Sequence, residues 1–321
     1  MTDQRRAALL PMLALTAASI LWASAFVAFK LAFQAYDTMF VVFARMLVAC
    51  ICFMPLYPRF RSQPYRKGDW KPIALMGLCE PGLYFLFETA AIKNTEAAQA
   101  GMITAMLPLL VAVGAHFILK ERVSARTWAG FLVAVCGAGM LSFMSTATEN
   151  APNPTLGNSL EFLAMCCAMG YTILLKRLSA RYSPMFLTFT QAVFGCVFFL
   201  PLMFLPGQSL PTQFVLIPAL SIIYLGAAST LGAYGLYSYG VSKIPASQAS
   251  AFINLIPVAT VFMAWLVLGE VFSTGQYLAS ALVLGGVLLS QNRKAARQPE
   301  AQTEAPVPSS AESPSQTPLE G

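Results

Sequence analysis

Charged residues are scarce in this chain: they make up 11% of its 321 residues, whereas an ordinary soluble domain carries about 25%. So few charges cannot cover a soluble surface. Hydrophobic residues reach 57% and the mean hydropathy is +0.64. Because a membrane-spanning helix takes about 20 apolar residues, and unpaired backbone groups are excluded from lipid, the sequence predicts a bundle of membrane-spanning helices.

The residues of common catalytic and metal sites are scarce as well. There is one histidine, and the seven cysteines all fall within apolar runs. The cysteines and the histidine do not form a metal-ligand spacing. The chain also has no G-x-x-x-x-G-K-[ST] motif, which would bind the phosphates of ATP. We therefore expect no catalytic residue, no metal, no cofactor and no ATP-driven pump. An intramembrane enzyme and a non-transporting sensor or scaffold stay as alternatives to a carrier.

Basic residues are distributed very unequally between the two sides of the predicted membrane. Ten spans place seventeen of the twenty lysines and arginines on one side, leaving Lys30 and Lys93 on the other and Arg45 within a helix. By the positive-inside rule this predicts cytoplasmic termini, in a bacterial inner membrane. The same distribution explains the net charge of +6 without a nucleic-acid partner.

The chain contains an internal repeat. Residues 97–121 align without a gap to residues 246–270, at an offset of 149. Identical residues in the two copies include Gln99, Pro108 and Glu121. Self-similarity at such a distance indicates two similar halves. We predict ten helices, at 9–29, 38–57, 72–92, 97–118, 126–145, 157–176, 184–205, 214–239, 246–268 and 275–291.

Five helices in each half give the predicted fold its symmetry. Because five is odd, the second half enters the membrane from the opposite side, which is an inverted-topology repeat of the kind common in secondary transporters. The fold class predicted is thus an all-α integral membrane protein of ten transmembrane helices, built as two inverted five-helix repeats. The predicted segments are a cytoplasmic N-terminus at 1–8, repeats at 9–145 and 155–292, and a disordered tail at 293–321.

Ionisable residues inside the spans are functional candidates, because a charge at the bilayer centre costs about 2.5–3.5 kcal/mol on insertion scales. Glu80, Tyr84 and Glu88 follow one another at intervals of four, on one stripe of a helix, and Pro81 predicts a kink beside them. The carboxylates could hold a substrate ammonium group or a proton. Alternatively, Glu80 forms a structural pair with Arg45. Arg45 could itself bind a substrate carboxylate. Glu88 and Glu161 could instead lie close enough to the outer interface to be hydrated.

Two proline-interrupted helices supply further candidates. Pro108 and Pro257 predict helix breaks near mid-span, which are tolerated where the backbone faces protein or water. Gln99, Gln248 and Asn254 precede them and could line a polar cavity, or could serve helix packing. Three aromatic side chains could form walls of such a cavity, or could simply be core residues: Trp22, Tyr84 and Tyr237.

Several motifs together give a family resemblance. These are Leu21-Trp-Ala-Ser-Ala-Phe-Val-Ala-Phe-Lys30, Phe43-Ala-Arg45, Gln99 through Ala112 with Leu119-Lys-Glu-Arg122, and Pro257 through Glu270. The chain resembles an EamA-type member of the drug/metabolite transporter superfamily. In the sixth helix, where that family usually has a tryptophan–alanine pair, this chain has Cys167-Ala-Met-Gly-Tyr171.

The resemblance implies a ten-helix carrier, often an exporter, for small metabolites such as amino acids or for drug-like compounds. Its partners would be a small-molecule substrate, the surrounding membrane lipids and protons as a candidate coupling ion. The sequence leaves the oligomeric state open. It also leaves open whether the candidate residues bind substrate or serve packing.

Overall fold

The computed structural model describes residues 3–59, 66–119 and 124–290. All regular elements in these three ranges are helices, as the composition predicts. The predicted tail at 293–321 lies outside the described residues, and so do Glu121 and the first two residues of the predicted N-terminal segment.

Nine helices of the described chain are long and apolar enough to cross a membrane, judged by length and composition. We number them α1 to α9, and they are Leu9–Phe33, Thr38–Pro58, Trp70–Asn94, Ala97–Ile118, Ala125–Phe143, Pro154–Leu178, Pro184–Leu202, Leu216–Lys243 and Gln248–Leu268. A shorter apolar helix of 17 residues, α10, spans Thr274–Ser290. Each of the ten predicted segments overlaps one of these helices, and the chain is an integral, multi-pass membrane protein.

Several of these helices begin where side chains satisfy their free backbone N–H groups. Ser124, Asn153 and Ser183 cap α5, α6 and α7 in this way, as short polar side chains commonly do. The start of α4 is held from a distance instead, because Ala97 N and Ala98 N donate to the carboxylate of Glu270 at 3.0 and 2.9 Å. Burial raises the pKa of the Glu270 carboxyl, and these two bonds oppose that rise.

Helices α5 and α10 touch through glycine. A Cβ atom added to Gly130 would lie 2.4 Å from the carbonyl oxygen of Gly286, and one added to Gly286 would lie 2.5 Å from that of Gly130. A Cβ on Gly137 would likewise lie 2.6 Å from the backbone nitrogen of Val283. Small residues let membrane helices approach this closely, and van der Waals packing then holds them together.

We expect Gly286→Val to unfold the protein in detergent at a clearly lower temperature than the wild type. The new side chain would meet backbone of α5, which cannot turn aside, and overpacking of this kind costs about 1–3 kcal/mol or more. Gly285→Val is the matched control, since a Cβ there meets nothing within 4 Å. Equal melting temperatures for the two variants would contradict this contact.

Four helices lose regular α geometry part-way along their length. In α3 the backbone of Glu80 is extended, at φ −153° and ψ 118°, which is the conformation that a following proline favours. In α8 the segment Leu225–Ala233 is π-helical. In α4 and α9 short 3-10 turns occupy Thr104–Met106 and Phe252–Asn254, ahead of Pro108 and Pro257. Residues at or beside these four breaks line one central cavity.

Candidate functional site

The central cavity has a volume of about 50 Å³, which holds a few water molecules. It is lined by side chains of α1, α2, α3, α4, α6, α8 and α9. Six of the predicted site residues lie on its wall, and they are Trp22, Arg45, Glu80, Tyr84, Glu88 and Tyr237. Ionisable groups of both signs therefore face one small cavity.

Glu80 is held at the break of α3. Its carboxylate accepts a hydrogen bond from the hydroxyl of Tyr234 in α8, and 4% of the residue is exposed. Its own carbonyl oxygen accepts from Gln191 Nε2 in α7 at 3.2 Å. Pro81 follows, and the Glu80–Pro81 peptide bond is cis. The interruption thus anchors the Glu80 backbone while its side chain reaches the cavity.

Glu88 lies two turns further along α3. Its Oε1 accepts a bond from the Tyr84 hydroxyl at 2.6 Å, and its Oε2 is buried without a partner among the described residues. Glu88 and Glu161 are 5% and 0% exposed. The alternative in which these two carboxylates are hydrated at the outer interface is therefore wrong.

Arg45 is buried and held in a fixed orientation. Its Nε and Nη2 donate to Thr230 Oγ1 at 3.0 and 2.8 Å, and Nη2 also donates to Ser229 Oγ at 3.4 Å. The guanidinium carbon lies 4.3 Å from the ring centre of Phe85 and 5.1 Å from that of Phe29. None of these hydrogen bonds uses Nη1.

The predicted alternative that pairs Arg45 with Glu80 is wrong. Ion pairs between the described residues join Lys93 to Asp37 and Arg181 to Asp69, and both lie at helix ends. Glu80 and Glu88 nevertheless lie on the same cavity wall as Arg45, close enough for a longer-range Coulomb attraction. The cation and the carboxylates thus face the same space without cancelling one another by contact.

Aromatic rings form much of the remaining wall. The Trp22 ring centre lies 5.0 Å from those of both Tyr234 and Tyr237, and Tyr171 contacts Tyr234 edge-on at 6.1 Å. The Tyr237 hydroxyl is 3.3 Å from Thr172 Oγ1. Trp22 Nε1 is buried without a hydrogen-bond partner in the described chain, so one donor is available to whatever occupies the cavity.

Three of the predicted polar residues lie elsewhere. Gln99 belongs to a separate network, in which its Oε1 accepts bonds from Ser145, Asn158 and Thr95 at 2.7, 3.0 and 3.2 Å. Gln248 is exposed at the start of α9. The prediction that both line the cavity is wrong, because neither is on the cavity wall and each lies at the beginning of its helix, ahead of the break.

Asn254 is half-buried and is not part of the cavity wall, although its neighbours Ile253 and Ile256 are. Its Oδ1 atom is buried and has no hydrogen-bond partner among the residues described. The helix interruption beside Pro257 therefore brings apolar side chains to the cavity, and the prediction of a polar lining from Asn254 is wrong. Beside Pro108, by contrast, Thr104 and Leu107 reach the wall.

Sequence reasoning missed the partners of the two strongest candidates. Ser229 is the repeat counterpart of Glu80, 149 residues later, so the repeat offset could have identified the Arg45-binding segment of α8. Tyr171 stands where the resembled family has its tryptophan–alanine pair. Tyr234 gave no signal, because a tyrosine in an apolar helix is common.

Known proteins resemble this chain over most of its length. The EamA-like transporter family matches it twice, over residues 9–143 and 155–291. The Bacillus subtilis (strain 168) protein named "Uncharacterized transporter YetK" is 27% identical, with 68% of this chain and 67% of that one covered. A Streptantibioticus cattleyicolor protein named "Probable terminal-alkyne amino-acid exporter" is 27% identical, over 90% of this chain and 96% of its own.

A solved crystal structure shares the fold, with a TM-score of 0.61, 18% identity, and coverage of 89% of this chain and 96% of the other. The two family matches together span nearly all the helices described above, including both carboxylate-bearing spans and the arginine of α2. The chain belongs to the EamA-like transporter family.

Proposed function

We propose that this protein is a secondary carrier that exports small zwitterionic metabolites of the amino-acid class by alternating access. The proposal rests on the cavity that Arg45, Glu80 and Glu88 all line, where Arg45 makes its hydrogen bonds to α8 through Nε and Nη2 and leaves Nη1 outside them. A forked guanidinium suits a substrate carboxylate, and a carboxylate suits a substrate ammonium group. The aromatic rings would cover the apolar part of the substrate.

Two equivalent sets of contacts support an inverted repeat of ten spans, in halves at 9–145 and 155–292. Arg45 of α2 bonds to the interrupted segment of α8, and Gln191, its counterpart 146 residues later, bonds to the interrupted segment of α3. Each half thus reaches across to the break in the other. The one-sided basic residues support cytoplasmic termini in a bacterial inner membrane.

Alternating access would follow from these breaks. The cavity of about 50 Å³ is smaller than a typical ligand pocket of about 300–1,000 Å³, which supports a closed conformation that must open to admit a substrate. The export direction rests on the name of one relative, an amino-acid exporter. Carriers of this kind commonly expose a midplane site by rocking one half against the other.

Counterflow in proteoliposomes tests the proposal. Vesicles loaded with an unlabelled amino acid should take up the labelled form faster than protein-free vesicles. The matched competitors are the amine that lacks the carboxylate and the acid that lacks the amine. Because a hydrogen bond to a charged group contributes about 1.5–3 kcal/mol, each should compete about tenfold or more weakly than the intact amino acid.

No counterflow with any amino acid would contradict the substrate class. Equal competition by the amine alone would contradict the role given to Arg45, and would indicate a carrier of cations.

A further inference from the structure

Helices α3 and α6 meet at their outer ends in a defined register. Asn153 N, at the start of α6, donates to Asn94 O at the end of α3 at 3.1 Å. A Cβ atom added to Gly157 would lie 2.7 Å from Thr95 Cβ and 2.9 Å from Ala91 O. The backbones are therefore in direct contact one turn into each helix.

This register brings two carboxyl groups together. Glu161 lies four residues after Gly157 on α6, and Glu88 lies three residues before Ala91 on α3. Each is therefore about one turn from the contact, on the helix face that makes it. The two carboxyl groups are therefore neighbours across the contact between α3 and α6. Glu88 lines the central cavity, whereas Glu161 lies one turn above Met165, which does.

Three of the four carboxyl oxygens have no hydrogen-bond partner among the described residues: both of Glu161 and Oε2 of Glu88. The titratable groups that act on Glu161 are Glu88 and Tyr84 of α3. Arg45 of α2 acts on Glu88 but directs its hydrogen bonds to α8. No cation in the described chain is thus in contact with the pair.

Two ionised carboxylates side by side in this environment would be very unfavourable, since burial and like charge both oppose ionisation. A single proton removes the repulsion between like charges, because the protonated group is neutral and can donate to an oxygen of the other. The requirement comes from the position of the two groups and from their unsatisfied oxygens.

We propose that Glu88 and Glu161 together form a proton-binding site at the outer end of the substrate cavity, and that this proton is the coupling ion. The inference rests on the proposed function. A substrate ammonium group that reaches Glu88 would replace the proton there, and the proton would leave from the pair. Glu161 touches no substrate and acts as a positioning residue for the proton on Glu88.

The proton can be tested without any transport. Infrared difference spectra on passing from acidic to alkaline buffer report the carbonyl stretch of protonated carboxyl groups. In the wild type we expect such a band, which Glu161→Gln should abolish or shift and Glu88→Gln should alter. Glu149→Gln is the matched control, because Glu149 is exposed in the loop after α5, and its spectrum should equal that of the wild type. A band unchanged in both Glu161→Gln and Glu88→Gln would overturn the proposal.

Transport then separates the proton site from the carrier function. We expect Glu161→Gln to retain counterflow within about twofold of the wild type, but to lose accumulation of substrate against its gradient when a pH gradient is imposed. Gradient-driven accumulation at wild-type level in Glu161→Gln would overturn the proton site while leaving the carrier intact. Absence of counterflow in the wild type would refute the proposed function, and the infrared spectra would still decide the proton site.

Discussion

Replacement of Glu80 by glutamine is expected to reduce amino-acid counterflow at least tenfold while leaving the folded protein intact. Glutamine keeps the size of the side chain, and its carbonyl oxygen can still accept the bond from Tyr234. What it removes is the carboxyl group that can take a negative charge opposite a substrate ammonium group in the cavity. Loss of one charge-assisted hydrogen bond, about 1.5–3 kcal/mol, weakens substrate binding by about tenfold to a hundredfold.

The measurement for Glu80→Gln combines counterflow with thermal unfolding in detergent. The melting temperature should stay near that of the wild type, since Gln191 and Tyr234 keep their bonds to the residue. Comparison of counterflow with gradient-driven uptake separates lost binding from lost coupling: Glu80→Gln should fail in both, whereas Glu161→Gln should fail only in the second. Wild-type rates in Glu80→Gln would show that this carboxylate has no essential part in transport.

A second large effect is expected at Arg45, where two replacements should behave differently. Arg45→Lys keeps the charge but cannot reproduce the bonds from Nε and Nη2 to Thr230 or the flat contact with Phe85, since lysine presents a compact ammonium group. It also leaves a buried charge without those partners. We expect it to lower the melting temperature and to reduce counterflow by at least tenfold.

Arg45→Gln is the matched variant, because the repeat itself has glutamine at the equivalent position, Gln191. An amide can donate to Thr230 and introduces no unpaired charge. It should therefore fold about as well as the wild type and lose affinity for amino acids, yet bind an amine that lacks the carboxylate as well as the wild type does. Equal loss of affinity for the amino acid and the amine in Arg45→Gln would contradict the assignment of Arg45 to the substrate carboxylate.

The sequence predicts the helices well, and the reason is physical. Lipid requires every span to be long, apolar and internally hydrogen-bonded, so hydropathy alone locates segments such as Trp70–Asn94 and Pro184–Leu202. Charge inside a span is expensive enough that Glu80, Glu88 and Arg45 stand out as candidates from the sequence alone. All three line the cavity.

Rotation and depth of a helix are harder to predict. Gln99 and Gln248 are equivalent in the repeat and polar, but each lies near the start of its helix, ahead of the break that reaches the cavity. Asn254 lies within a break but is not on the cavity wall that Ile253 and Ile256 line. Tyr234 is identified only from the structure, in which its hydroxyl donates to the Glu80 carboxylate. The sequence of one helix does not reveal which residues of the neighbouring helices it contacts.

If the cavity is an alternating substrate site, it must be reachable in turn from the two sides of the membrane. Ala168 lines the cavity, and a cysteine placed there in a cysteine-free protein can be labelled with a membrane-impermeant thiol reagent in vesicles of either orientation. We expect labelling from both faces, slowed by a bound amino acid, while a cysteine at Gly285, on the exposed face of α10, stays unreactive. Labelling of Ala168→Cys from one face alone, or with no protection by any amino acid, would contradict an alternating substrate site in this cavity.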